Sequence, residues 1–220
     1  MPAGHRRTII SVVLLAVALL ALYARLGSAA DRAVLWGSGP PEISAEVREA
    51  GLLFDPSVPA ADRAWVLAAV AAARPEAQRL IAEVDGLVTV QTHRDVGDAI
   101  GYAEWAGERA VVSLDTAQLN GDRAIDRNVV VLHELGHVID FALVPKETNA
   151  QLDAQIPRGG PCGLAIDCEL VEERFADTFA KWALNGAVAE IGAGYGVPMP
   201  ASIEDWGAPL AQLSYELPVA

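Results

Sequence analysis

Cysteine, histidine and positive charge are all scarce in this 220-residue chain. Two cysteines, Cys162 and Cys168, permit at most one disulfide. In an oxidising compartment two thiols so close in sequence usually pair, and free buried thiols are the alternative. Sixteen Lys and Arg face 29 Asp and Glu, a net charge of -13. Three of the basic residues and no acid precede Asp31, so the remainder carries 13 basic against 29 acidic residues, a net of −16. Such a surface repels nucleic acid and anionic lipid, which excludes the binding modes that depend on phosphate contacts. No internal repeat occurs. The length suits one sizeable core and is short for two.

Charge is absent altogether from Thr8 to Ala24, directly after Arg6 and Arg7. These 17 apolar-rich residues lie between a signal-peptide core of roughly 7 to 15 residues and a membrane helix of about 20. Ser28-Ala29-Ala30 offers small residues for cleavage, and Asp31-Arg32 suits a retained anchor, so both fates stay open. Either way the basic start stays in the cytoplasm and the rest crosses. The expected location is the cell membrane with the folded part outside, or secretion if the segment is removed. Residues 1–30 are read as signal anchor or signal peptide, 31–58 as linker and lead-in, and 59–220 as the folded domain. Within the lead-in, Leu52-Leu53-Phe54 is apolar enough to reach the core.

Apolar residues from Trp65 to Val84 recur at helical spacing, with a break at Arg74-Pro75. Leu87 to Gln91 reads as a strand. Ala99 to Trp105 and Arg109 to Leu114, joined by Ala106-Gly107-Glu108, read as a hairpin. Asn120-Gly121-Asp122 ends this sheet and is expected to cap the next helix. Val129-Val130-Val131 favours a strand locally, but Val129, Leu132, Gly136, Ile139 and Leu143 form one stripe that only a helix buries together. That helix, 128–144, ends at Pro145. Residues 145–168 read as a Pro/Gly-rich loop carrying both cysteines. Residues 169–184 return to helix with Phe175, Ala176, Phe179, Trp182 and Ala183 inward. Residues 186–201 read as irregular, and a short helix spans about 203–213. Trp36, Trp65, Trp105 and Trp206 are assigned to packing.

The first of these two helices contains His133-Glu134-Leu135-Gly136-His137. Positions four apart lie on one face about a turn apart, so the two imidazoles can converge on one ion. Zinc takes imidazole nitrogen readily, and a carboxylate beside the pair can remove a proton from water at the metal. From composition alone, roughly one such sequence in 200 contains HExxH by chance, so context must decide. The context here is a helix rich in buried aliphatics, where unpaired imidazoles are unfavourable. A third ligand is required. Asp140 and Val144 stand where HExxHxxGxxH needs Gly and His, which excludes that arrangement. Downstream, Glu169, Glu172, Glu173 and Asp177 lie on the next predicted helix, and Glu173 and Asp177 share a face.

HELGH followed by Glu173-Arg174-Phe175-Ala176-Asp177-Thr178-Phe179-Ala180 resembles the gluzincins, zinc metallopeptidases with HExxH and a following ExxxD helix. The combination is most similar to compact members such as the ImmA/IrrE-type peptidases, while HELGHVID also resembles the lethal-factor type. The likeness covers residues 127–141 and 169–182. It implies an α+β, zincin-like single domain in which a small antiparallel-rich sheet precedes an active-site helix and a glutamate helix, after an N-terminal hydrophobic helix. It further implies one Zn2+ held by His133, His137 and Glu173, with Glu134 as general base and Asp177 accepting a hydrogen bond from a ligating histidine. Glu172 is the reserve ligand, and Asp140 has a possible supporting role behind His137.

The reaction implied is peptide hydrolysis on a peptide or protein substrate. Zincins usually bind substrate as an added strand, for which Arg109 to Leu114 is the candidate edge. Tyr195, then His93 and Tyr102, are candidates to stabilise the oxyanion, though packing roles are commoner for such groups. A Cys162–Cys168 bridge would brace the start of the glutamate helix. Membrane contact is expected through residues 8–24 if they are retained, and no nucleic-acid partner is expected. The alternative is a catalytically silent binding or sensing module outside the membrane, against which Glu134 argues. A cytoplasmic regulator-cleaving peptidase is opposed by residues 5–25.

Overall fold

The computed structural model describes residues 47–49, 52–94, 99–121, 125–159, 170–187 and 196–217, which fall in one compact unit, residues 44–220. The hydrophobic segment 8–24, both cysteines, Glu169 and Tyr195 lie outside the described residues. Among those described, no helix is long and apolar enough to cross a membrane.

Five strands form one sheet. β1 (Val47–Glu49) pairs antiparallel with β2 (Leu52–Phe54), whose three residues are buried. Two helices, α1 (Ala60–Ala72) and α2 (Pro75–Glu83), then lead to β3 (Val88–His93). The break between them falls at Arg74-Pro75 as expected, with Pro75 in the first turn of α2, where its missing N–H leaves no bond unmade. Because the connection is a helical crossover, β3 returns parallel to β2. β4 (Gly101–Ala106) and β5 (Arg109–Asp115) form the expected hairpin, turning at Gly107 with φ 72°. β5 pairs parallel with β3 along its other side, giving the order β1-β2-β3-β5-β4.

Two expectations are thereby corrected. The sheet is mixed rather than antiparallel-rich, since β2–β3 and β3–β5 are parallel. Nor is Arg109 to Leu114 an edge: β5 is enclosed by β3 and β4, and among the described residues the edge strands are β1 and β4. The burial pattern records this, since Ser113 and Leu114 of β5 are fully buried while Glu104, Trp105 and Ala106 of β4 are exposed.

After the short α3 (Thr116–Leu119), the helix α4 (Arg127–Leu143) runs through the centre of the unit, packing on β4, β5, α1 and α2 on one side and on the glutamate helix on the other. Its cap is Asp126, whose carboxylate accepts from Asn128 N at 2.9 Å and Val129 N at 3.4 Å; Asn120 instead closes α3. The three valines accept helical geometry because Val129 and Val131 are buried there at 1% exposure each, and burial outweighs a propensity difference below about 1 kcal/mol per residue.

The region read as a continuous loop contains a helix, α5 (Lys146–Gln155). Its sequence buries Leu152 and little else, so no apolar stripe advertises it. α6 (Val171–Ala183) and α7 (Ile203–Glu216) complete the fold. α7 lies on α6 at Gly207, where a Cβ would sit 1.9 Å from Trp182 Nε1, and the buried Trp206 donates to Leu152 O at 3.1 Å. Trp206 is thus core and Trp65 is half-buried against it, but Trp105 is 37% exposed on the surface of β4.

Candidate metal centre

The pattern of two histidines four apart places His133 and His137 on the face of α4 that meets α6. These helices approach closely at Gly136. A Cβ on Gly136 would lie 3.1 Å from Ala176 Cα and 3.2 Å from Phe179 Cδ1, so the absence of a side chain lets the backbones approach. Glu173 lies one turn before Ala176 on α6 and therefore arrives opposite the imidazoles.

His133 Nε2 and His137 Nε2 are 3.1 Å apart. Glu173 Oε2 is 3.2 Å from the first and Glu173 Oε1 is 3.5 Å from the second. One donor atom from each residue can be chosen with all three within 4.8 Å. Bonds of about 2.0 to 2.1 Å in a tetrahedral arrangement put ligand atoms about 3.4 Å apart, close to these approaches. Two nitrogens and a carboxylate also form a donor set that suits a borderline divalent cation. The residues thus fit a metal, and the group His133, His137 and Glu173 is a candidate metal-binding site.

Burial sets the protonation of these groups. Desolvation lowers the pKa of His133 to about 4, with Asp177 opposing and Lys181 adding to the effect. Desolvation likewise lowers His137 to about 4, with the neighbouring His133 adding to it and Glu173 and Glu172 opposing. Both rings are neutral near pH 7, the form that ligates. Glu134 is 1% exposed, and burial first, then the charge of Glu173, raise its pKa well above the ordinary carboxylate value. Its Oε2 finds no hydrogen-bond partner among the described residues. A cation between the imidazoles acts in the opposite sense and favours the ionised base.

No family model, curated protein or solved structure matches the chain. The site therefore stands on its own geometry.

A second ring of groups holds α6 in place. Arg174, fully buried beside Glu173, donates through Nε to Asp153 Oδ1 at 2.7 Å and through Nη2 to Ile156 O at 2.7 Å. Its Nη1 reaches Pro157 O at 3.2 Å. Asp177 is fully buried and accepts from Lys181 Nζ at 2.5 Å, and the same ammonium donates to Val197 O at 2.5 Å. Asp177's negative charge is felt at His133. Glu172 is exposed and lines the cleft beside His137 and Asp140, outside the group formed by His133, His137 and Glu173. Asp140 accepts from Asn149 Nδ2 at 2.5 Å, and burial, helped by Glu172, raises its pKa to about 6.

A cleft of about 280 Å³ opens beside the group, lined by β4 on one side and by Glu134, His137, Asp140, Phe141, Glu172 and Glu173 on the other. Gly101, at the start of β4, makes room for Glu134: a Cβ there would meet Glu134 Oε1 at 2.8 Å. Tyr102 lines this cleft, whereas His93 is exposed at the end of β3 and takes no part in it.

Sequence reasoning missed Gly101, Arg174 and Lys181. A glycine inside a strand pattern signals close approach of another group, and Asp177 and Lys181 show the four-residue spacing of a helical ion pair. Arg174 carries no signal beyond its place next to Glu173.

Proposed function

We propose that the protein is a zinc-dependent peptidase, exported or tethered to the membrane by residues 8–24, with one ion held by His133, His137 and Glu173. The observation that carries this reading is the convergence of those donors from two helices beside a buried carboxylate, Glu134, that opens onto a cleft with a free strand edge. Zinc bound there supplies a Lewis acid that acidifies water and polarises a carbonyl.

The chain's own groups do the rest. Glu134 is the base that takes the proton of the attacking water and later delivers it to the departing amine. Gly101 keeps the space that this carboxylate occupies. β4, an edge strand, supplies main-chain donors and acceptors to an extended substrate lying along it. Asp177, neutralised from behind by Lys181, favours the orientation in which His133 presents Nε2 forward.

The test is a comparison of the purified protein with Glu134→Gln. Both should carry about one zinc per chain, and only the first should cleave unfolded protein substrates. A protein that binds no divalent metal at micromolar concentration, or a Glu134→Gln variant that cleaves as fast as the wild type, refutes the reading.

A further inference from the structure

Phe141 is 74% exposed and Trp105 is 37% exposed, yet their rings touch, with centroids 4.8 Å apart and planes inclined at 39°. They come from the two elements that flank the cleft. Phe141 lies one helical turn beyond His137 on α4, and Trp105 lies on the face of β4 shared with Gly101, against which Glu134 rests. Both line the cleft. Aromatic surface of this kind, continuous with a polar site and rimmed by charge, marks a place where an apolar group is bound.

We infer that Trp105 and Phe141 form a shelf that selects a substrate with an aromatic or long aliphatic side chain about two to four residues from the bond to be cleaved. The spacing follows from the fold. His137 and Phe141 are one turn of α4 apart, about 5.4 Å, Gly101 and Trp105 are four residues of β4 apart, about 13 Å, and an extended chain rises about 3.3 Å per residue, so a strand laid along β4 brings its second or fourth residue from the metal over the rings. Alternation along the strand turns that side chain to the same face as the scissile position. Ala103, between Gly101 and Trp105 on that face, leaves the path open. Asp140 and Glu172 on the opposite wall are acidic, which disfavours an anionic bilayer as the occupant.

This inference rests on the peptidase reading, and binding separates the two. Blocked hexapeptides of Ala, Ser and Thr with one Phe walked along the sequence are titrated into zinc-loaded Glu134→Gln. At one register the Phe peptide should bind roughly 10 to 100 times more tightly than its Ala counterpart, the range expected for burying a large apolar side chain. Adding Phe141→Ala should abolish that preference and leave the Ala peptide's affinity within about threefold, whereas Phe141→Leu should keep part of it. Equal affinity for Phe and Ala peptides at every register overturns the shelf, as does a Phe141→Ala variant that loses both peptides equally, which indicates a purely structural contact. So does a Phe141→Ala variant that loses affinity for phosphatidylglycerol vesicles while keeping its Phe preference. If the wild type cleaves none of these peptides while the Phe preference stands, the peptidase reading fails and the shelf remains.

Discussion

Gly136→Ala tests whether the contact between α4 and α6 sets the ligand geometry. The new methyl carbon would lie 3.1 Å from Ala176 Cα, 3.2 Å from Phe179 Cδ1 and 3.4 Å from Ala176 O. The phenyl ring can turn, but a backbone Cα cannot, so α6 must retreat by a few tenths of an ångström. Glu173 moves with it. Ligand distances in a metal site tolerate about 0.2 Å, so the displacement falls at the limit of what the site absorbs. We expect zinc affinity to fall about 10- to 100-fold, as for other changes just outside a ligand set. Stability responds differently. Alanine improves helix propensity by about 1 kcal/mol and overpacking costs about 1 to 3 kcal/mol, leaving metal-free protein destabilised by about 0 to 2 kcal/mol. Competition with a chromophoric chelator measures the first quantity and urea unfolding the second. Gly107→Ala is the control, since Gly107 sits at φ 72° in an open turn with nothing near its Cβ; it should lower stability without touching affinity. Zinc affinity of Gly136→Ala within threefold of wild type would refute the reasoning.

Gly101→Ala pushes against Glu134 Oε1 rather than a ligand, so zinc content should hold while cleavage drops about 100-fold, the penalty for a catalytic group displaced by about 1 Å; unchanged turnover would show that Glu134 is not confined by β4. Arg174→Met leaves Asp153 only the exposed Arg158 as a partner and removes the donor to Ile156 O and Pro157 O, and should cost about 1 to 3 kcal/mol in urea unfolding, with Asp153→Leu restoring part of it in the double variant. Asp140 has a folded pKa of about 6, above its ordinary 3.8, so its contribution to stability is full below pH 3.8 and is lost as pH rises through 6. That rise corresponds to about 3 kcal/mol at full strength, reduced to about 1 kcal/mol for a partly exposed group. Asp140→Asn should therefore be more stable than wild type by about 1 kcal/mol at pH 7 and equal to it at pH 3.5, and a difference independent of pH would contradict the assignment.

Residues whose neighbours in space are also neighbours in sequence were legible. The stripe through Val129, Leu132, Gly136 and Ile139 identified α4, and the pause at Arg74-Pro75 separated α1 from α2. Gly107 marked the hairpin turn. What sequence could not show was which strand stands next to which. β5 pairs with β3 across the whole of β4, and that choice depends on a parallel pairing 22 residues apart, from Val88 to Ala110, for which no local pattern exists. β2 has three residues, too few for alternation to register. α5 was missed for the opposite reason: it is largely exposed, and its helical character comes from Ala, Gln, Glu and Lys rather than from a buried face.

The site shows the same division. His133 and His137 are fixed relative to each other by one helical turn, so their convergence could be read from spacing alone. Glu173 is 36 residues from His137 and meets it through a packing event that spacing cannot describe; it was named from the ExxxD likeness, and Gly136 and Ala176 mark a close approach of the two helices, three residues after His133 and Glu173 respectively. The candidate ligand group thus lies where the two helices come close together. The edge was misassigned because nothing comparable distinguishes β4 from β5 except exposure. That exposure matters chemically, since it places beside Glu134 an edge strand among the described residues with an aromatic pair at its far end, the two features that the proposed peptide substrate would need.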